Sequence, residues 1–379
     1  MSRRHWAQIV AAAVAVAALA AAVPAVAGGT TTGPAEKGAA SAATGYLEAR
    51  AAAVTAADPD AALAGCVVPG SALALGEAQL ARGTALRGRR VGRTVDSADC
   101  AVTILSSVPS GDGLSAIVTA RAVTSITWRS SWGATDTEAS GIDHTMTLSQ
   151  SGGAWVVVAD AYADVQRPAC LEAAGAPRTR VRAAVRALEQ TAGALRLPRP
   201  AARRAAIPER RYSTIITYDR PAAQAYADKY ALSYNPTYVR FSGADCANFA
   251  SQCAFAGDMP TAGSTSGSGW WYDKHGSSSP SDATYSLSWI NVTKQMGYWN
   301  TRRTDWATSA GTLSRGDFIY YDWGGDGVWD HVAVVAGTNS AGQKVIDAHT
   351  TDLYHAYWKL GSSSTKYKYA KVRPQWVIV

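Results

Sequence analysis

The sequence predicts an α+β protein in two parts. A small domain over residues 44–169 reads as one helix followed by a curved antiparallel sheet. A C-terminal domain over 212–379 reads as a helix carrying a cysteine and an antiparallel sheet carrying a histidine. Three observations predict this. Helical spacing over 45–64 gives way to short β-branched runs separated by glycine turns. Composition changes abruptly across 170–211. Beyond that stretch the chain holds 9 of its 13 Trp, 15 of its 17 Tyr and all 4 Phe, and it has no Glu.

The elements follow in order. Met1-Ser-Arg-Arg-His5, an apolar run from Ile9 to Ala22, Pro24 and Ala25-Val26-Ala27 before Gly28 describe a secretory signal peptide over 1–27. The run is short for a membrane span, so a protein secreted to the extracellular side and not integral to the membrane is expected. Arg outnumbers Lys and Ala is abundant, the composition of a GC-rich bacterial genome. Residues 28–43, rich in Gly, Thr, Ala and Ser, read as a flexible leader. Tyr46, Leu47, Ala51 and Val54 then fall on one side of a helix. Strands are expected at Ala101–Ser106, Ser115–Ile126, Thr145–Leu148 and Trp155–Ala159, with turns at Gly111-Asp-Gly and Ser151-Gly-Gly. This order of elements resembles cystatin-like or NTF2-like accessory domains.

Charge locates the next boundary. The chain carries a net +7, with +2 in 1–27, −4 in 28–177, +8 in 178–211 and +1 in 212–379. The excess sits in a basic Arg/Pro/Ala linker over 170–211, with a short basic helix at Arg178–Arg186. Both larger parts are near balance, which excludes a domain built to track nucleic-acid phosphates. The linker reads as a solvated connector; the alternative is that its charge is drawn to acidic wall polymers or anionic lipid.

Five cysteines in an exported chain leave at least one unpaired. Two of Cys66, Cys100 and Cys170 could form a disulfide. Cys246 and Cys253 lie two turns apart on one predicted helix, too far to bond to each other. Asp245 reads as the N-cap, which makes Cys246 the first helical residue. The helix dipole and free N–H groups there are expected to expose the sulfur and lower its pKa. A nucleophilic thiol needs a base. His331 opens the β-branched run Asp330-His-Val-Ala-Val-Val335, paired as a hairpin with Arg315–Asp322. The next strand, Lys344–His349, presents Asp347 and His349, either of which could fix the tautomer of His331. Twenty-eight aromatic residues in 168 exceed what a core needs, so some are expected to line a groove for an extended ligand.

A cysteine at a helix start, a histidine at a strand start and a polar residue on the next strand resemble the papain-like cysteine hydrolases, the bacterial wall-cleaving branches above all. The segment 212–379 is similar to the putative amidase domain of secreted bacterial proteins. The resemblance rests on Tyr218-Asp-Arg-Pro-Ala-Ala-Gln-Ala-Tyr-Ala227, Asn235-Pro236, Asp245-Cys-Ala-Asn-Phe-Ala-Ser-Gln252, Ser288-Trp289, Arg315-Gly-Asp317, Asp330-His331 and Ala348-His-Thr350. It implies a hydrolase with Cys246 as nucleophile, His331 as base and His349 as orienting residue, with Asp347 as the alternative. The oxyanion glutamine of papain is absent: no Gln stands between Gln224 and Cys246, so the Cys246 N–H would serve.

The expected reaction is hydrolysis of an amide through a thioester, in a cell-wall (peptidoglycan) peptide or another extracellular peptide, with no cofactor and no metal. The segment 212–379 has no Glu, which excludes an H-E-x-x-H zinc helix. The set His331, His349 and Asp347 has no i, i+4 histidine pair. Asp322–Gly327 lacks the alternating ligands of a calcium loop. No carboxylate pair of a glycosidase is visible and no phosphate loop is present. The alternative function is a non-catalytic peptide- or glycan-binding module whose aromatic groove holds its ligand uncleaved.

Overall fold

The computed structural model describes residues 33–193 and 214–378, apart from 264 and 266. The export segment 1–27, the start of the leader and the linker from 194 onward lie outside the described residues. In chain order the first elements are α1 (Pro34–Ala52), α2 (Pro59–Leu63), α3 (Ala72–Arg90), β1 (Arg93–Pro109), β2 (Ser115–Ser130), β3 (Thr135–Ser151), β4 (Ala154–Ala161), α4 (Arg167–Ala173) and α5 (Arg178–Gly193). Then come β5 (Thr214–Thr217), α6 (Arg220–Tyr230), α7 (Cys246–Ala256), β6 (Tyr272–Asp273), β7 (Thr284–Tyr285), α8 (Leu287–Ile290), α9 (Val292–Arg302) and β8 (Thr304–Ala307). The last are β9 (Phe318–Asp322), β10 (His331–Thr338), β11 (Lys344–Ala348), β12 (Asp352–Tyr357), β13 (Lys366–Val372) and β14 (Gln375–Ile378). The fold is mixed α and β with a large antiparallel sheet, in agreement with the α+β expectation.

The chain divides into two compact units, and the division is not the expected one. One unit takes residues 33–81, 99–123 and 142–162; the other takes 82–98, 124–141 and everything from 163 on. The first unit packs α1 and the start of α3 on the antiparallel strands β1 to β4. Alternate residues of β2, namely Ala116, Val118, Ala120 and Ala122, face its core, as period-two patterning requires. The expected strands all fall inside longer observed ones.

Two expectations here are corrected. The leader is helical from Pro34, because Ala39 and Ala43 extend the buried stripe of Tyr46 and Leu47 by one and two turns. Pro34 opens the helix, where a missing N–H costs nothing. The 19-residue α3 was not foreseen, although the Ser71 side chain accepts from Ala74 N–H as an N-cap. Its internal glycines hide it. A Cβ at Gly83 would stand 1.9 Å from the Cys170 carbonyl, and one at Gly88 would stand 2.1 Å from the Trp128 ring. Close packing requires both glycines despite their poor helix propensity. None of the five cysteines forms a disulfide, so Cys66, Cys100 and Cys170 are not bonded to one another.

The second unit is built on strands in the order β3-β12-β11-β10-β9-β13-β8, with β3 joining through Ala139–Gly141. All five residues of β9 and the first six of β10 are buried. Helices cover both faces, so these strands read as continuous apolar runs rather than alternating ones. On one face Phe318, Tyr320, Val332 and Val334 pack with Phe249 and Cys253 of α7 and with Trp299 of α9. On the other, Ile319, Tyr321, Ala333 and Val335 pack with Val185 and Leu188 of α5. The stretch expected to be linker is therefore, as far as Gly193, part of this unit's core. The hairpin reading of β9 and β10 holds, with His331 opposite Tyr321, and Val334 lies opposite Asp347 on β11. No helix among the described residues is long and apolar enough to cross a membrane.

Candidate active site

Cys246 is the first residue of α7, as its position after Asp245 predicts. Asp245 does not cap the helix with its side chain. Its buried carboxylate is committed elsewhere: Oδ1 accepts from Phe241 N–H at 2.9 Å and from the Asn248 amide at 3.0 Å, and Oδ2 meets His349 Nδ1 at 2.7 Å. The residue before the nucleophile candidate is thus clamped from three sides.

The Cys246 sulfur is buried, and burial pushes its thiol up to about 11. The neighbouring Asp245 charge adds to the rise. The backbone N–H groups of Val332 and Ala247 and the Thr350 hydroxyl act in the opposite sense at the sulfur. The expected exposed, low-pKa thiol is corrected: loss of solvation outweighs the helix-start donors. Thr350 Oγ1 is buried and forms no hydrogen bond within ordinary distance, yet it is near enough to the sulfur to act on its pKa. Thr350 also holds φ at +92°, a region that β-branched residues rarely enter.

His331 lies at the start of β10 and is 2% exposed. Its ring stacks on Trp323 at 5.3 Å and tilts against Tyr321 at 5.5 Å, so it packs on the sheet face opposite α7. Its Nε2 is buried and makes no hydrogen bond. Burial drives its pKa down to about 3, which leaves the imidazole neutral. Cys246 and His331 both line one cavity of about 390 Å³. Thr350, Asp330, Trp323 and Trp329 line it as well.

The two expected orienting residues do not reach His331. His349 is held by Asp245 at Nδ1 and donates from Nε2 to the Tyr230 carbonyl at 2.8 Å; its ring lies 3.9 Å from Phe249 and 4.3 Å from Tyr234. Both its nitrogens are occupied by acceptors. Asp347 faces away from the cavity, accepting His355 N–H at 2.7 Å on Oδ1. Burial and the nearby Asp228 carboxylate raise Asp347 to about 8.

Other expectations resolve here. The Trp residues expected in a ligand groove are mostly core: Trp270, Trp271, Trp289, Trp299 and Trp323 are among the largest fully buried side chains. Arg315-Gly-Asp317 and Asp219-Arg220 serve the scaffold, since Asp317 Oδ1 accepts from Arg220 at 2.6 Å and from Val372 N–H at 2.8 Å. Asn248 links the Val239 carbonyl to the Trp289 indole. Sequence reasoning missed the α5 wall of the cavity, with Leu188, Glu189 and Thr191, because its Arg-rich composition reads as linker. It also missed Asp330 and Thr350, which it had quoted only as neighbours of the histidines. Asp330 is raised to about 6 by burial, opposed by Trp323 N–H and reinforced by Asp322, Glu189 and Asp326.

Comparison with known proteins finds similarity in the C-terminal part of the chain. Residues 217–372 match the family described as putative amidase domain. The uncharacterized protein YhbB of Bacillus subtilis (strain 168) is 34% identical over 158 residues, covering 40% of this chain and 48% of that protein. The uncharacterized protein YjcM of the same organism is 29% identical over 152 residues, covering 37% and 32%. The chain thus spans about half the length of one curated relative and about a third of the other. Among solved structures, the intermembrane space region of the chloroplast protein ARC6 aligns over 34% of this chain and 95% of its own, at 15% identity and a TM-score of 0.25, a likeness that carries no weight for the fold. Residues 217–372 are thus similar to the putative amidase domain, and the match supports an amidase-type hydrolase in the C-terminal part of the chain.

Proposed function

We propose that the C-terminal domain is a papain-like, cysteine-dependent amide hydrolase of a secreted bacterial protein, acting on a peptide of the cell wall or another extracellular peptide. One observation carries this reading. Cys246, with N–H and O–H groups acting at its sulfur, and His331, with an unpartnered buried Nε2, line a single cavity.

The pair rests as neutral thiol and neutral imidazole. His331 takes the thiol proton, directly or through one water, as Sγ attacks the amide carbon. The carbonyl electron pair moves onto oxygen, and the first free N–H groups of α7 hold that oxyanion. The tetrahedral intermediate collapses, the C–N bond breaks, and the imidazolium gives its proton to the departing nitrogen. Water, deprotonated by the same imidazole, then cleaves the thioester and restores the thiol.

The cavity also favours a substrate charge. Glu189, Asp326 and Asp330 line it, and no Lys or Arg is among its described lining residues. An amide that carries an ammonium group near the scissile bond, such as a peptide with a free amino group, suits this wall best. Purified protein incubated with digested peptidoglycan, with released amines read by mass spectrometry, tests the reading. The expected result is new amines from the native protein and none from Cys246→Ala. Equal release by both overturns the cysteine mechanism. Retained substrate binding without release by the native protein supports the binding-module alternative, which the buried tryptophans otherwise disfavour.

A further inference from the structure

The geometry points to a binding site for one divalent transition-metal ion at Asp228 of α6, Asp347 of β11 and His355 of β12. One ligand atom from each residue lies within 4.8 Å of the others. His355 Nε2 stands 3.0 Å from Asp228 Oδ1. Two ligands bound to one ion at about 2.0–2.2 Å stand roughly 3 Å apart, so this edge already has the spacing of a coordination shell.

The second observation is Asp347 itself. It is fully buried, and its Oδ2 makes no hydrogen bond. The Asp228 carboxyl lies in direct contact with it. A buried carboxyl facing a partly exposed one is held best with something positive between them, a proton or a cation. Neither Lys nor Arg is among the strongest influences on either group; His355 supplies the only opposing charge there. A metal ion bound by Asp228 Oδ1, Asp347 Oδ2 and His355 Nε2 would replace the Asp228–His355 hydrogen bond and give Asp347 Oδ2 a partner.

The surrounding groups hold this arrangement. The Gln224 amide donates to Asp228 Oδ2 at 3.3 Å, leaving Oδ1 toward the histidine. The His355 backbone N–H fixes Asp347 Oδ1 at 2.7 Å, leaving Oδ2 available. His355 holds φ at +51°, an uncommon conformation outside glycine, and its ring stacks on Tyr354 at 3.9 Å. The imidazole with two carboxylates suits Zn²⁺ or Mn²⁺ better than Mg²⁺ or Ca²⁺, which take oxygen alone. The partly exposed Asp228 and His355 give an ion a path in from solvent. The ion would tie α6 to two strands of the sheet, and α6 ends at Tyr230, whose carbonyl holds His349.

The test uses the full chain with Cys246→Ala, so that zinc has no thiol at the cavity. After dialysis against EDTA, Zn²⁺ and Mn²⁺ are added in separate experiments. Bound metal is counted by elemental analysis after equilibrium dialysis, and Tm is followed in parallel. The expected result is one equivalent of at least one of the two ions, with a rise in Tm. His355→Gln and Asp228→Asn, both at the partly exposed side and so compatible with folding, should each weaken binding tenfold or more and remove the rise. Retention of neither ion, or equal retention by both variants, overturns the site and leaves a shared proton as the bridge between the carboxyls.

Discussion

Two histidines of one unit, His331 and His349, live in opposite environments. His349 has both nitrogens bonded and a ring against Phe249 and Tyr234. His331 is as deeply buried, yet its Nε2 has no partner and its side chain borders the cavity. A fully satisfied buried polar group is scaffold. An unsatisfied one beside a cavity costs stability, and a protein that keeps it has a use for its reactivity. The same contrast separates Asp245, which accepts three hydrogen bonds, from the Thr350 hydroxyl, which forms none within ordinary distance.

The largest effects should fall on the unsatisfied side. Cys246→Ala should lower turnover on the order of 10⁴-fold or more, since no other thiol is among the described lining residues of the cavity. His331→Ala should lower it by about 10²–10⁴-fold while leaving the urea midpoint close to native. His349→Ala should do the reverse. It strands the buried Asp245 carboxylate, so a loss of about 3–5 kcal/mol in unfolding free energy is expected. Denaturant titration of the two variants beside their turnover checks the contrast. A His349→Ala protein of native stability would break it.

The pH dependence sharpens the comparison at His331. Its depressed pKa, about 3, and the raised Cys246 pKa, about 11, keep both groups neutral between those limits. For an uncharged amide, kcat/KM should therefore be level from about pH 4 to about pH 10. A substrate bearing an ammonium group adds a step. Asp330, raised to about 6, gains its charge as pH climbs through that value, so kcat/KM should rise between pH 5 and pH 7. Asp330→Asn should remove the step and weaken KM a few-fold, as befits a partly exposed charge pair worth about 1 kcal/mol. A rise of the same size for the uncharged amide would assign it to the base instead.

Much of this unit was legible in the sequence because each element obeys a local rule. Asp245-Cys246 reads as a helix start, and Asp330–Val335 reads as a buried strand from its β-branched run. What the sequence could not supply was the third direction. Ala348-His349-Thr350 leaves β11 as a polar triplet, and which of its side chains turns to which neighbour depends on the end of the strand pairing at Ala348. Alternation puts Asp347 and His349 on one face, and both do lie toward α6 and α7, Asp347 beside Asp228 and His349 on Phe249; His331 packs on the other face with Trp323, which alternation within one strand does not reveal. The sulfur's pKa was misjudged for a related reason. Helix-start donors are a local property, whereas burial under Thr350 and Val332 is a tertiary one. The α5 wall escaped because arginines on its outer side dominate its composition, while Val181, Val185 and Leu188 at i, i+4 and i+7 carry its buried stripe.

Thr350 offers the finest test of the contrast. Its φ of +92° is a conformation that a β-branched residue adopts at a cost of about 1–3 kcal/mol, and glycine adopts it without steric penalty. If the strain is held because it aims the hydroxyl at Cys246, then removing it should separate stability from activity. Thr350→Gly should unfold at equal or higher denaturant concentration than the native protein, because relief of strain offsets the entropy that glycine loses on folding. Its turnover should fall several-fold, because the sulfur loses one of the donors that stabilise the forming thiolate. Thr350→Ser keeps the hydroxyl and should recover most of that turnover. A Thr350→Gly protein that is both less stable and fully active would make this residue scaffold like His349, and would leave the Val332 and Ala247 N–H groups as the donors that matter at the sulfur.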